Sequence, residues 1–211
     1  MIRLVVADDQ AILRSGLVAL LGLEPDVEVV AEAADGASTL AAVAAHRPDV
    51  LLLDVQMPAG TMADGTPGPA DGIAVAEALQ GQQGAPRIIV LTTFGRAGYL
   101  RRTMEAGAAG FMVKDTPVEQ LVDAIRRVDQ GLRVVDPELA AQSLAVGSSP
   151  LTLKETEVLQ AAAAGGTTAR IAEALFLSEG TVRNHISSVI GKLGVTNRAE
   201  AVRAAAENGW I

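Results

Sequence analysis

The chain has 211 residues and a formal net charge of −8; hydrophobic residues make up 49%, charged residues 20% and aromatics 2%, with no cysteine. This length suits one large domain or two small ones, and this apolar content excludes a disordered chain. Disulfides, thiolate metal sites and cysteine nucleophiles are excluded, and a reducing, cytoplasmic setting is expected. The charge is uneven: residues 1–149 carry 11 Lys+Arg against 19 Asp+Glu, and residues 150–211 carry 6 of each. That argues against a general polyanion binder, so any nucleic-acid contact must be local and lie in the neutral C-terminal piece. No apolar run approaches the ~18 residues of a membrane span, so no membrane insertion is expected. The start, MIRLVVADDQ, meets two carboxylates after a short apolar run and does not read as a signal peptide.

From the N-terminus, apolar, β-rich runs at 2–7, 27–34, 50–53, 87–91 and 109–113 alternate with helix-length segments at 11–23, 37–45, 73–80, 98–106 and 118–130. Five strands alternating with five helices predict an α/β domain, a doubly wound five-stranded parallel sheet over residues 1–130. Residues 131–149 read as a linker, with a short helix starting at Pro137 and covering 139–144, closed by Gly147-Ser148-Ser149-Pro150. From residue 150 onward strand patterns cease. Four helices are expected at 154–164, 168–175, 180–193 and 198–207, an all-α module over residues 150–211.

Asp8 and Asp9 fall just past the first strand, and Asp54 just past the third. Thr92 and Lys114 close the fourth and fifth. In a doubly wound sheet the ligand crevice lies outside the carboxyl ends of the strands, so these side chains converge. A single Asp after a strand is usually a turn or a helix cap. Their joint placement at four strand ends is far harder to obtain by chance. Clustered carboxylates repel unless a hard divalent cation such as Mg²⁺ joins them. With a hydroxyl and an ammonium alongside, the set suits phosphoryl transfer to a carboxylate. A phosphate-transferring or hydrolysing enzyme with Asp8 or Asp9 as nucleophile is the main rival. A second rival is a regulator that has lost control by phosphorylation.

Asp8-Asp9, Asp54 followed by Met57-Pro58, Thr92 and Lys114 resemble the receiver domain of two-component response regulators over residues 2–130. The resemblance implies a flavodoxin-like fold and an Asp54 that accepts phosphate from a sensor histidine kinase. It places Mg²⁺ among Asp8, Asp9, Asp54 and the backbone carbonyl of Gln56. Thr92 and Lys114 would hold the phosphoryl group and report it to Phe111, the switch aromatic. Gln56 and Phe94 would flank the path of a hydrolytic water, with Phe94 excluding it. One departure stands out: MPAGTMADGTPGPADGI makes residues 59–70 about ten longer than the family's loop. Its Gly and Pro residues predict a mobile flap without regular structure.

In LSEGTVRNHISSVIGKLG, residues 177–194, Ser178 is a good N-cap, and Val182, Ile186, Val189 and Leu193 share one helix face. Asn184, Ser187, Ser188 and Gly191 lie opposite, flanked by Arg183 and Lys192. Such a helix can approach a groove, with Asn reading base edges and Arg and Lys neutralising phosphates. With the preceding helix it makes a helix-turn-helix. His185 sits at the margin of the apolar stripe, and His46, the other histidine, is in the other domain, so no histidine metal site is expected. The strings LTLKETEVL, Ile171-Ala172, Leu177-Ser178, GTVRNH and KLGV resemble the LuxR-type DNA-binding domain. Thr156 and Thr167-Thr168-Ala169-Arg170 depart from its usual residues. The whole chain is similar to the NarL/FixJ class of response regulators. LTTFGRAGYLRR, GTVRNHISSVIGK and the closing Asn208-Gly209-Trp210-Ile211 resemble its desaturase-regulator, membrane-thermosensing subgroup. The resemblance implies a cytoplasmic, non-enzymatic transcription regulator that dimerises on phosphorylation and binds a pseudo-palindromic operator, with RNA polymerase as a candidate partner. Which face dimerises is left open: the first and fifth helices offer Leu17, Leu20 and Leu21 with Leu121, Val122 and Ile125, but some of these must face the sheet.

Overall fold

The structure, a computed structural model, describes residues 1–93, 97–137, 139–141 and 149–211, with residues 97 and 98 by backbone alone. The chain divides into two compact units, the first carrying the sheet and the second residues 141–211.

In the first unit β1 (Ile2–Ala7), β2 (Val27–Ala33), β3 (Val50–Asp54), β4 (Arg87–Thr92) and β5 (Gly110–Val113) pair in parallel. A sixth strand, β6 (Val134–Val135), adds beside β5, and the order is β2-β1-β3-β4-β5-β6. The sheet is therefore six-stranded and not five-stranded. Its last strand lies in the segment read as linker, where two residues are too short for a periodic signal. Side chains alternate between the faces. Leu4, Val6, Leu52, Ile89, Leu91 and Met112 pack on one face with Leu21 of α1 (Ala11–Leu21) and Leu121, Val122 and Ile125 of α5 (Val118–Asp129). Val5, Leu51, Leu53, Val90 and Phe111 are buried as well and, by the same alternation, belong to the opposite face. Arg126 ties α5 to the start of β2, with Nε 2.8 Å from Asp26 Oδ2 and a second nitrogen 2.8 Å from Glu24 Oε2.

Local chemistry sets the remaining helix starts. Asp35 caps α2 (Gly36–His46) in a reciprocal box with Ser38, and Asp71 accepts from the Ala74 N–H at the start of α3 (Gly72–Leu79). Gly72 is required where it stands: a Cβ there would lie 2.0 Å from the Asp54 carbonyl oxygen. The helix α4 spans Ala97–Glu105.

The long loop is not a structureless flap. Thr61 and Pro67 form an antiparallel bridge, the Met62 N–H donates to the Thr66 carbonyl, and Asp64 accepts from both the Thr66 N–H and its hydroxyl. This small hairpin is seated on the start of α2: the Pro58 and Ala59 carbonyls accept from Gly36 and Ala37 N–H, each at 2.9 Å. Gly60, at φ +66, abuts the Asp35 carboxylate where a Cβ would come within 2.3 Å. The glycines permit this close fit and the left-handed turn.

The second unit holds α6 (Leu153–Ala163), α7 (Thr168–Ala174), α8 (Glu179–Leu193) and α9 (Arg198–Glu207), each N-capped by Thr152, Thr167, Ser178 or Asn197. Val158, Leu159, Ile171, Val182, Val189, Ala201 and Ala205 form its core. Residues 138 and 142–148, which include half of the expected linker helix, lie outside the described residues; 137 and 139–141 are helical.

Candidate functional site

Asp8 follows β1, and Asp54 and Thr92 end β3 and β4; all three are buried at the same edge of the sheet. Lys114 directly follows β5, its N–H donating 2.8 Å to the Thr92 carbonyl. Its Nζ lies 2.7 Å from Asp8 Oδ2 and 2.8 Å from Asp54 Oδ2. These are ion-pair distances, yet none of the three buried atoms attains hydrogen-bond geometry. One ammonium is shared by two buried carboxylates, and Asp9 adds an exposed third. Burial pushes the Asp54 pKa up, and Lys114 and the Gln56 N–H offset this only in part. Burial pulls Lys114 down, but the two carboxylates outweigh it and the net shift is upward.

Oxygens of Asp8, Asp9 and Asp54 lie within 4.8 Å of one another. An all-oxygen set with surplus negative charge and unsatisfied buried atoms fits a hard divalent cation. Gln56 is exposed, and its N–H lies 3.3 Å from Asp54 Oδ1. Phe111 is fully buried on β5, three residues from Lys114. Phe94 lies outside the described residues.

In the second unit α8 follows α7 after a turn through Leu175, Phe176 and Leu177. Phe176 adopts φ 54 and is 96% exposed. Arg183, Asn184 and Ser187 are exposed on α8, with Arg183 3.3 Å from Glu179. Ser188 and Lys192 turn back toward α6, where Glu155 accepts from the Ser188 hydroxyl at 2.7 Å and from Lys192 Nζ at 2.6 Å. Glu155 also accepts from the N–H and hydroxyl of Thr152. The helical wheel puts Ser188 on the groove-facing side and Lys192 at its flank, and it cannot show a carboxylate reaching them from α6. Glu155 is the residue the sequence reading missed. Its place as the fourth residue of Thr-Leu-Lys-Glu, a capping-box pattern, was the available signal.

Residues 4–126 match the response regulator receiver domain family, and residues 149–205 match the bacterial regulatory proteins of the luxR family. The chain belongs to the two-component response regulators. This regulator is 43% identical to the transcriptional regulatory protein YvfU and 41% identical to the transcriptional regulatory protein DesR, both of Bacillus subtilis, each over the full length of both chains. DesR fits the desaturase-regulator subgroup. Among solved structures, the response regulator ChrA of a heme-sensing two-component system is 35% identical, covering 100% of this chain and 98% of that one, with a TM-score of 0.56. The response regulator RcsB in a complex with DNA is 26% identical over 98% of both chains, with a TM-score of 0.67. Its relatives are regulators of transcription, which sets aside the rival reading as a phosphate-transferring enzyme. Among the described residues no helix is long and apolar enough to cross a membrane.

Proposed function

We propose that Asp54 is the phosphoacceptor of a switch that controls DNA binding by the helical unit, in the cytoplasm. The observation that carries this is the pocket itself: two buried carboxylates short of positive charge around one ammonium. An Asp54 oxygen attacks the phosphorus of a sensor kinase's phosphohistidine, the P–N bond breaks, and an acylphosphate forms. Lys114 moves from pairing with carboxylates to pairing with phosphoryl oxygens, and Thr92 donates its hydroxyl to another. Asp8, Asp9, Asp54 and the Gln56 carbonyl would hold Mg²⁺, which supplies charge neutralisation to the transferring group. Phe111, buried on β5 three residues before Lys114, is the aromatic through which the new charge is relayed. Residues 1–130 with the short strand β6 act as the receiver, residues up to 149 as linker and residues 150–211 as the DNA-binding domain.

Phosphorylation raises dimer affinity, and two α8 helices about a two-fold axis read half-sites about one turn apart. Arg183, Asn184 and Ser187 face the groove. Ser188 and Lys192 serve it from its edge, held by Glu155.

Mixing the protein with acetyl phosphate and Mg²⁺ and weighing it intact tests the pocket. The wild type gains one phosphoryl group; Asp54→Asn gains none. Labelling of the Asn variant at the wild-type rate refutes the assignment. For the helical unit, Asn184→Ala weakens base preference by ~1–3 kcal/mol in an operator titration.

A further inference from the structure

The pocket's first loop carries two adjacent carboxylates, and their mutual repulsion opposes any fixed separation. Asp8 is nevertheless held at several points. Its N–H donates 3.0 Å to the Ala33 carbonyl, and its Oδ1 accepts from the Gln10 N–H at 2.8 Å. The third tether comes from Arg14, on the first turn of α1. One of its terminal nitrogens donates to the Asp8 carbonyl, and its Nε donates 3.1 Å to Glu32 Oε2 on β2. The Arg14 side chain is only 17% exposed, unlike a surface arginine. Nothing in the proposed chemistry uses it.

We propose that Arg14 is a positioning residue, anchored by Glu32, that fixes the Asp8–Asp9 loop and thereby sets the pocket's affinity for a divalent cation. The inference rests on the reading of this pocket as a metal-assisted phosphoacceptor. A guanidinium suits the task because its rigid fork reaches a carbonyl and a carboxylate at once and keeps its charge at any working pH. A lysine at the same place gathers its charge and its donors at a single atom and does not reproduce two acceptors served by separate nitrogens. The tether pulls on the backbone of a ligand residue and not on the ligand oxygens. Its loss therefore lowers metal affinity and leaves the reacting groups intact.

The test is calorimetric titration of Mg²⁺, and separately Mn²⁺, into the full-length unphosphorylated protein. Arg14→Gln weakens binding about tenfold, as outer residues around metal sites typically do. Arg14→Lys and Glu32→Gln fall between it and the wild type. Acetyl phosphate labelling of each variant returns to within about twofold of wild type at saturating Mg²⁺. Unchanged Mg²⁺ affinity in Arg14→Gln overturns the proposal. So does a labelling rate that saturating Mg²⁺ fails to restore, because Arg14 then acts on the chemistry itself. Glu32→Gln keeps the test decisive should Arg14→Gln not fold, since a wild-type affinity there also overturns it. Asp8→Asn separates the two readings: if it binds Mg²⁺ as the wild type does, the pocket assignment fails before the role of Arg14 is in question.

Discussion

The two units each bury a carboxylate beside a lysine, and the two behave oppositely. Asp54 shares one ammonium with Asp8, and its pKa is pushed up, chiefly by burial. Glu155 is also buried, and burial alone would raise it. Lys192, the Thr152 N–H, the Ser188 hydroxyl and the Thr152 hydroxyl outweigh this and bring it down to about 2. Donor supply, not burial, separates a site poised for chemistry from a fastening. The first is under-neutralised, which supports the uptake of a cation or a phosphoryl group proposed for it; the second is saturated and holds α8 against α6.

The largest break in this comparison comes from Glu155→Ala. It removes a capping box and leaves Ser188 and Lys192 without their acceptor, at a cost of about 3 kcal/mol to the helical unit. Urea unfolding followed by the single tryptophan, Trp210, which packs on that unit's core, reads the loss directly. The pH dependence has a definite sign. The folded pKa of Glu155 lies below its ordinary 4.5. Its contribution is therefore full above about 4.5 and is lost as pH falls toward about 2. The gap between wild type and Glu155→Gln closes over that window.

Asp54→Asn acts the other way and stabilises the receiver by about 1 kcal/mol at neutral pH, as removal of a strained functional charge commonly does. Because the folded pKa of Asp54 lies above 3.8, ionisation opposes folding. The gain grows as pH rises from 3.8 through that folded pKa and fades below. Hydrogen exchange of β3 amides against pH measures it; a destabilised Asn variant would erase the contrast with Glu155. The smallest effect is at Phe176→Gly. Glycine accepts φ 54 without the penalty a side chain incurs, but it adds freedom to the unfolded chain. A net gain of a few tenths of a kcal/mol in the same tryptophan-monitored unfolding is expected.

The five long strands and the helices are legible because apolar runs and helical periodicity are local signals. The pocket residues are legible because the end of a parallel strand fixes where a following side chain gathers. Contacts that pair distant residues are not. Val134–Val135 becomes a strand only because β5 presents an edge to it. Gly60 and the prolines around it read as absence of structure, whereas the same glycine allows the hairpin to seat on Asp35. Ser188 and Lys192 were placed by the wheel of their own helix, which cannot see Glu155. Nothing local marks Arg14 among the residues of its helix; only the fold brings Asp8 and Glu32 to its two sides.

The ends of the sheet bear on handling the receiver alone. At one end β2 carries exposed Glu28 and Glu32, charges that discourage a second sheet from adding to it. At the other end the guard is β6, whose two residues cover Gly110 and Phe111 of β5. A receiver cut at residue 130 would bare that backbone, next to the buried Phe111, and invite edge-to-edge aggregation. The same piece carried through Asp136 keeps its edge covered, so solubility depends on a strand of two residues.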